Sequence, residues 1–167
     1  MSQIEILNDK EYYNLVEKYY NNEKVQLMKE IPHHDSNRLN HCLKVSYLSY
    51  KVCKKLNLNY ESVAKAGLLH DFYFERTTDR TTAEEKFKLY TNEHPEQAVF
   101  NAKTICDLTP LEENIIVSHM WPLSTHFPKY KESLVIGGVD KYLSLIEFQR
   151  KHAYQLSYVL GGFSPIS

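Results

Sequence analysis

The run Ala64-Lys65-Ala66-Gly67-Leu68-Leu69-His70-Asp71 constrains this chain more than any other: a helix of small, apolar residues ending in two metal-ligand side chains. Val63, Gly67 and His70 stand at i, i+4 and i+7, so the imidazole prolongs the apolar helix face instead of turning to water. A desolvated imidazole beside a desolvated carboxylate persists inside a protein when the two pair or share a cation. The same dipeptide recurs at His34-Asp35, so two letters alone decide nothing. What sets His70-Asp71 apart is the company of His41, His94, His119 and Asp140, each on or at the end of a predicted helix.

Those helices follow from pattern and punctuation. Asn8-Asp9 opens a first amphipathic helix that reaches about Tyr20, and a short second one covers 23 to 30, where Pro32 ends it. After the polar turn His33-His34-Asp35-Ser36, with Ser36 as N-cap, a long helix runs to about Leu56. On it His41, Val45, Leu48 and Val52 form one buried stripe. Asn57-Leu58-Asn59 turns the chain into the helix from Tyr60 to His70-Asp71. Residues 74–82 lack periodicity and read as a surface loop near the site. Thr82-Ala83-Glu84-Glu85 is a capping box that restarts a helix. His94-Pro95 then predicts His94 as an N-cap, where the positive end of the helix dipole favours the neutral, metal-competent ring. Thr109-Pro110-Leu111-Glu112 is the clearest helix start, and Leu111, Ile115 and His119 follow it at i+4 steps. Residues 122–131 read as an ordered loop over a pocket. The last helix spans about Glu132 to Arg150, with Ile136, Asp140 and Leu143 on one face, and a short capping tail follows from His152.

With no alternating strand pattern, the fold class is all-α, a single-domain bundle of about six to eight helices, which suits 167 residues. Twenty basic against twenty-one acidic side chains give no cationic excess for nucleic acid or an anionic membrane. No apolar run is long enough to cross a bilayer, and the N-terminus lacks the layout of a signal peptide. Cys42, Cys53 and Cys106, without Cys-x-x-Cys spacing, read as reduced, buried and inert, in a cytoplasmic protein.

Each histidine taken singly has a plain explanation as a satisfied core side chain; four of them with two aspartates point to metal. Nitrogen and carboxylate donors without thiolate suit Fe, Mn, Co or Ni better than a structural zinc, with Mg as a further option. Six donors exceed what one catalytic ion takes while keeping positions open. Two divalent ions therefore fit better, with Asp71 as the natural bridge, and the net positive charge of such a site attracts phosphate.

The order His41, His70-Asp71, His94, His119, Asp140 resembles the HD superfamily of metal-dependent phosphohydrolases, in the variant with extra histidines for a second metal. The phrases Arg38-Leu39-Asn40-His41, Gly67-Leu68-Leu69-His70-Asp71, His94-Pro95 and Val139-Asp140-Lys141 carry the likeness. It assigns 33–150 to an HD domain, 1–32 to a helical extension packed on it and 151–167 to the tail. It implies one metal on His41, His70, Asp71 and Asp140 and the other on Asp71, His94 and His119. Asp71, Arg38 and Lys141 are then the candidates for catalysis, the two cations for binding phosphate. Arg76, Arg80, Lys129 and Lys131 are weaker cations, and His34 or His126 could protonate a leaving oxygen.

The cyclic-dinucleotide branch is not expected: Phe72-Tyr73-Phe74 stands where it has Gly-Lys, and Met120-Trp121-Pro122 where it has Gly-Tyr-Pro. The expected activity is hydrolysis of a phosphate ester of a nucleotide or other small phosphorylated metabolite. The same donors also resemble the HD-type di-iron oxygenases, and a ligand-sensing module without catalysis is the third possibility.

Overall fold

The computed structural model describes residues 2–33, 36–75 and 77–159. Helices α1 (Gln3–Leu7), α2 (Lys10–Tyr20) and α3 (Glu23–Gln26) lead to a 3-10 turn at Leu27–Glu30 and a two-stranded antiparallel hairpin, β1 (Pro32–His33) with β2 (Ser36–Asn37). There follow α4 (Arg38–Lys55), α5 (Tyr60–Leu69), a 3-10 turn at Thr77–Asp79, α6 (Ala83–Lys88), α7 (His94–Lys103), α8 (Pro110–Ser118) and α9 (Lys131–Val159). The fold is all-α, as the periodicity predicts. None of the described helices is long and apolar enough to cross a membrane.

Helices α4 and α5 form the centre, and Gly67 sets their separation. A Cβ at Gly67 would stand 2.8 Å from Ser46 Cα and 2.9 Å from Ile136 Cδ1, so only glycine lets α5 approach α4 and α9 this closely. Beside it the Ser46 hydroxyl donates to the Ala64 carbonyl (2.6 Å) and accepts from the buried Tyr12 hydroxyl (2.7 Å), which ties α2 to the pair. Ile6, Tyr12, Val16, Val25 and Met28 share one core with Leu43, Leu68, Ile115 and Ile136. At the other end of α4, Asn57 takes a positive φ of 54° and the Leu58 amide reaches back to the Cys53 carbonyl (2.9 Å), a left-handed helix stop that asparagine tolerates. Cys42 and Cys53 are buried as expected; Cys106 is only half-buried.

Four local expectations are corrected. Helix α1 was not anticipated; Ser2 and Glu5 close a capping box around it. The N-cap of α4 is Asn37, whose Oδ1 accepts from the Asn40 amide (2.9 Å), because Ser36 is held in the hairpin and takes the Asn40 side chain instead (2.7 Å). His94 is not an N-cap: a π-helical turn at Leu89–Glu93 joins α6 to α7, and the His94 amide bonds back to the Leu89 carbonyl. The last helix does not give way to a tail at His152 but runs on to Val159, since 151–159 contain neither proline nor glycine. Gly161 and Gly162 lie outside the described residues, as do His34, Asp35 and Arg76.

Candidate metal centre

His70 and His119 are the residues at which α5 and α8 stop, His94 opens α7, and His41 and Asp140 sit on the inner faces of α4 and α9. Helix ends and inner faces are fixed by the packing of whole helices, so six side chains distant in sequence meet with little freedom. All six are buried.

Hydrogen bonds on the far side of each ring define its protonation. Nδ1 faces the Gly67 carbonyl in His70, the Leu89 carbonyl in His94 and the Ile116 carbonyl in His119, each at 2.8 Å, and the Glu147 carboxylate in His41 at 3.0 Å. A carbonyl or carboxylate only accepts, so Nδ1 carries a proton and Nε2 is the ring atom that faces inward. His94 Nε2 and His119 Nε2 lie 3.0 Å apart, and His41 Nε2 lies 2.9 Å from Asp140 Oδ1. Asp71 Oδ1 stands 3.3 Å from His94 Nε2 and 3.5 Å from His119 Nε2 without hydrogen-bond geometry, and His70 Nε2 stands 3.6 Å from Asp140 Oδ1. Two inward-facing atoms, His70 Nε2 and Asp71 Oδ1, are buried with no hydrogen-bond partner.

Donors about 2.1 Å from one ion stand roughly 3.0–3.5 Å from one another, close to the 2.9–3.6 Å found here. The sets His41, His70, Asp140 and His70, Asp71, His119 each offer donor atoms within 4.8 Å of one another. The donor chemistry and the two orphaned atoms therefore fit divalent metal. Electrostatics agree. Burial alone would raise the carboxyls of Asp71 and Asp140, yet the surrounding imidazoles hold both well below the usual range. Burial, with His70 and His94 nearby, pushes His119 down to about 3, which keeps it a neutral donor. In His41 burial opposes protonation but is outweighed by Asp140 and Glu147, which lift it to about 10.

Sequence reasoning missed two residues here. Glu147 accepts from His41 and from Lys44 Nζ (2.9 Å) while buried; it continues the stripe Ile136, Asp140, Leu143 by one more turn, a readable signal. His33, half-buried on β1, places a donor atom within 4.8 Å of donors on His41 and Asp71, and its ring centre lies 4.5 Å from that of His41. Nothing periodic announces it.

A cavity of about 400 Å³ opens onto the cluster, walled by Ile31, Pro32, His33, Arg38, Tyr73, Tyr90 and Met120 around Asp71, His94, His119 and Asp140. Arg38 is buried, stacks its guanidinium 3.6 Å over the Tyr73 ring and donates to the Tyr73 carbonyl. Lys141 is placed elsewhere: its ammonium donates to the carbonyls of His119 (2.7 Å) and Gly137 (3.2 Å), and it lines a different, smaller cavity. Position 141 is one residue from Asp140 but about 100° around the helix, so neighbours in sequence face different spaces. Arg80 is occupied by Glu75 and Glu93, and His126 by Glu96 (2.9 Å). Neither they nor Lys129 and Lys131 line the larger cavity, whereas Thr78, from the loop expected near the site, does. The segment 122–131 contributes Pro122 and Pro128 to the smaller cavity.

Histidines and aspartates gathered from helix ends and inner helix faces, with donors spaced for metal, define a class, and comparison gives the family. The model of the HD domain matches residues 38–136, more than half of the chain, and the chain belongs to that family, which includes metal-dependent phosphohydrolases. No curated protein and no solved structure matches. The match ends four residues before Asp140, which the fold nonetheless brings to His41.

Proposed function

We propose that this chain is a metal-dependent phosphohydrolase that cleaves the ester of a small phosphorylated compound. His41, His70, Asp71, His94, His119 and Asp140 are the residues that would hold two divalent ions, iron or manganese first, with Asp71 shared between them. Bound there, such ions would lower the pKa of a water toward neutrality and neutralise phosphate oxygens. The observation that carries the reading is the set of inward-facing Nε2 and carboxylate atoms, two of them buried without a hydrogen-bond partner, beside a cavity with an arginine in its wall.

The chain's own residues supply the rest. Two divalent ions against Asp71 and Asp140 leave about two positive charges by charge counting, and Arg38 adds a fixed third. A dianionic phosphate is attracted to that field. The guanidinium is already oriented by Tyr73, so little freedom is lost when it takes a phosphate oxygen. Buried Glu147 pairs with half-buried Lys44 (2.9 Å), which orients His41 without changing the net charge of the site. Tyr90, Met120, Ile31 and Pro32 give the organic part of a substrate an apolar wall.

The test is hydrolysis of p-nitrophenyl phosphate and a panel of nucleotides by protein loaded with iron or manganese, with and without oxygen. Turnover that survives anaerobic conditions and disappears on chelation is the expected result. Turnover that requires dioxygen would assign the centre to the oxygenase reading, and no turnover with full metal occupancy would leave the sensing module.

A further inference from the structure

The smaller cavity, of about 210 Å³, shares no lining residue with the metal-side cavity. Its walls include Trp121, Pro122, Pro128, Leu134, Gly138 and Lys141. The two serines that also border it are spent internally, Ser118 on the Asn114 carbonyl (2.6 Å) and Ser133 on Asn114 Oδ1 (2.9 Å). The Lys141 ammonium is the one charged side-chain group on this wall; the other polar side-chain group left is the Trp121 indole N–H. The ammonium gives two of its three N–H groups to main-chain carbonyls, and among the described residues no carboxylate lies within ion-pair distance of it. A half-buried cation against carbon walls, with a donor to spare and only neutral acceptors, matches an anion that brings its own apolar body.

We propose that this cavity binds a small organic monocarboxylate, its carboxylate on Lys141 and a flat apolar body between Trp121 and Leu134. One ammonium balances one negative charge; a phosphate dianion would leave a second charge dehydrated against proline and leucine. A cavity of about 210 Å³ has room for an acid built on a single ring. The site does not depend on the phosphohydrolase reading, since none of its residues touches the metal donors through its side chain except by way of the His119 carbonyl.

Trp121 is the chain's single tryptophan and stands in the cavity wall, so its emission reports occupancy. The intact protein is titrated with 3-phenylpropionate, with its neutral amide and with inorganic phosphate. A saturable emission change with the acid is expected, with the amide about tenfold weaker for want of a charge-assisted hydrogen bond, and none with phosphate. Lys141→Met should make acid and amide equal. Gly138→Leu should abolish binding while keeping the fold, because a Cβ there meets no atom within 4 Å; an unchanged or raised melting temperature verifies the fold. Equal response to acid and amide in the native protein, a response to phosphate as strong as to the acid, or full binding by folded Gly138→Leu would each overturn the proposal. These titrations need no turnover, so their outcome and that of the phosphatase screen are separately readable.

Discussion

Asp71 faces both histidine sets, with His94 and His119 Nε2 at 3.3 and 3.5 Å from one oxygen and donor atoms of His70 and His41 within 4.8 Å. Asp71→Asn keeps its shape and removes its charge, so both ions should be lost together with all activity, as read by metal analysis of the purified variant. Retention of two ions would remove Asp71 from the donor set. Arg38 tests a different function. Arg38→Lys keeps the charge but not the planar fork, and should lower kcat/KM by roughly tenfold to a hundredfold, a charged hydrogen bond's worth, with metal content unchanged. Glu147→Gln should weaken metal affinity about tenfold to a hundredfold, the usual effect of disturbing the acceptor behind a ligating histidine. His41, His70, His119 and Asp140 were legible because each continues an apolar stripe at helical spacing, Asp71 and His94 because each stands at a helix end, and Glu147 was legible on the stripe's terms. His33 was not, since a two-residue strand has no period to read. The place of Lys141 is hidden from a reading by sequence neighbours, since one step along a helix turns its side chain about 100° from Asp140 and into the smaller cavity.

At the level of elements, the site depends on how closely α4, α5 and α9 approach, and Gly67 controls that distance. Gly67→Ala puts a Cβ 2.8 Å from backbone on α4, which cannot yield as a flexible side chain would. The helices must part, at a cost of about 1–3 kcal/mol for overpacking, and His70 moves with α5 away from His41 and Asp140. Thr109→Ala provides the contrast. It removes the capping box of α8 at about 1 kcal/mol but leaves the helix seated. Calorimetry should therefore show metal affinity falling in Gly67→Ala and holding in Thr109→Ala, although both lower the melting temperature. If the two variants bind metal equally well, helix approach does not govern the site. The capping boxes at Thr82 and Thr109 were plain in the sequence because they are local, four-residue signals. The π turn was hidden: nothing in Leu89-Tyr90-Thr91-Asn92-Glu93 distinguishes a bond to the fifth residue back from one to the fourth. It appears only once Leu89 is seen accepting from both the amide and the ring of His94.

For the whole molecule the same imidazoles make stability depend on pH, and metal changes that dependence. Without metal, His41 has its folded pKa raised from 6.5 to about 10, so its contribution is complete below about pH 6.5 and is lost as pH rises toward 10. His119 runs the other way. Its folded pKa is lowered to about 3, so its contribution is complete above about pH 6.5 and is lost as pH falls toward 3. Glu147, lowered from 4.5 to about 2, adds a loss at the acid end. The metal-free protein should thus be most stable near pH 6.5 and weaken on both sides. A metal held on His41 Nε2 would take the place of the proton there, so binding at pH 7 should release protons and affinity should grow as pH rises from 6.5 to 10. That growth offsets the alkaline loss: with metal present, denaturant midpoints should stay level between pH 6.5 and 9 where those of the metal-free protein fall. Calorimetry at pH 7 in buffers of different ionisation enthalpy should count the released protons directly. Equal midpoints with and without metal across that range, or binding without proton release, would mean that His41 is not where the ion sits.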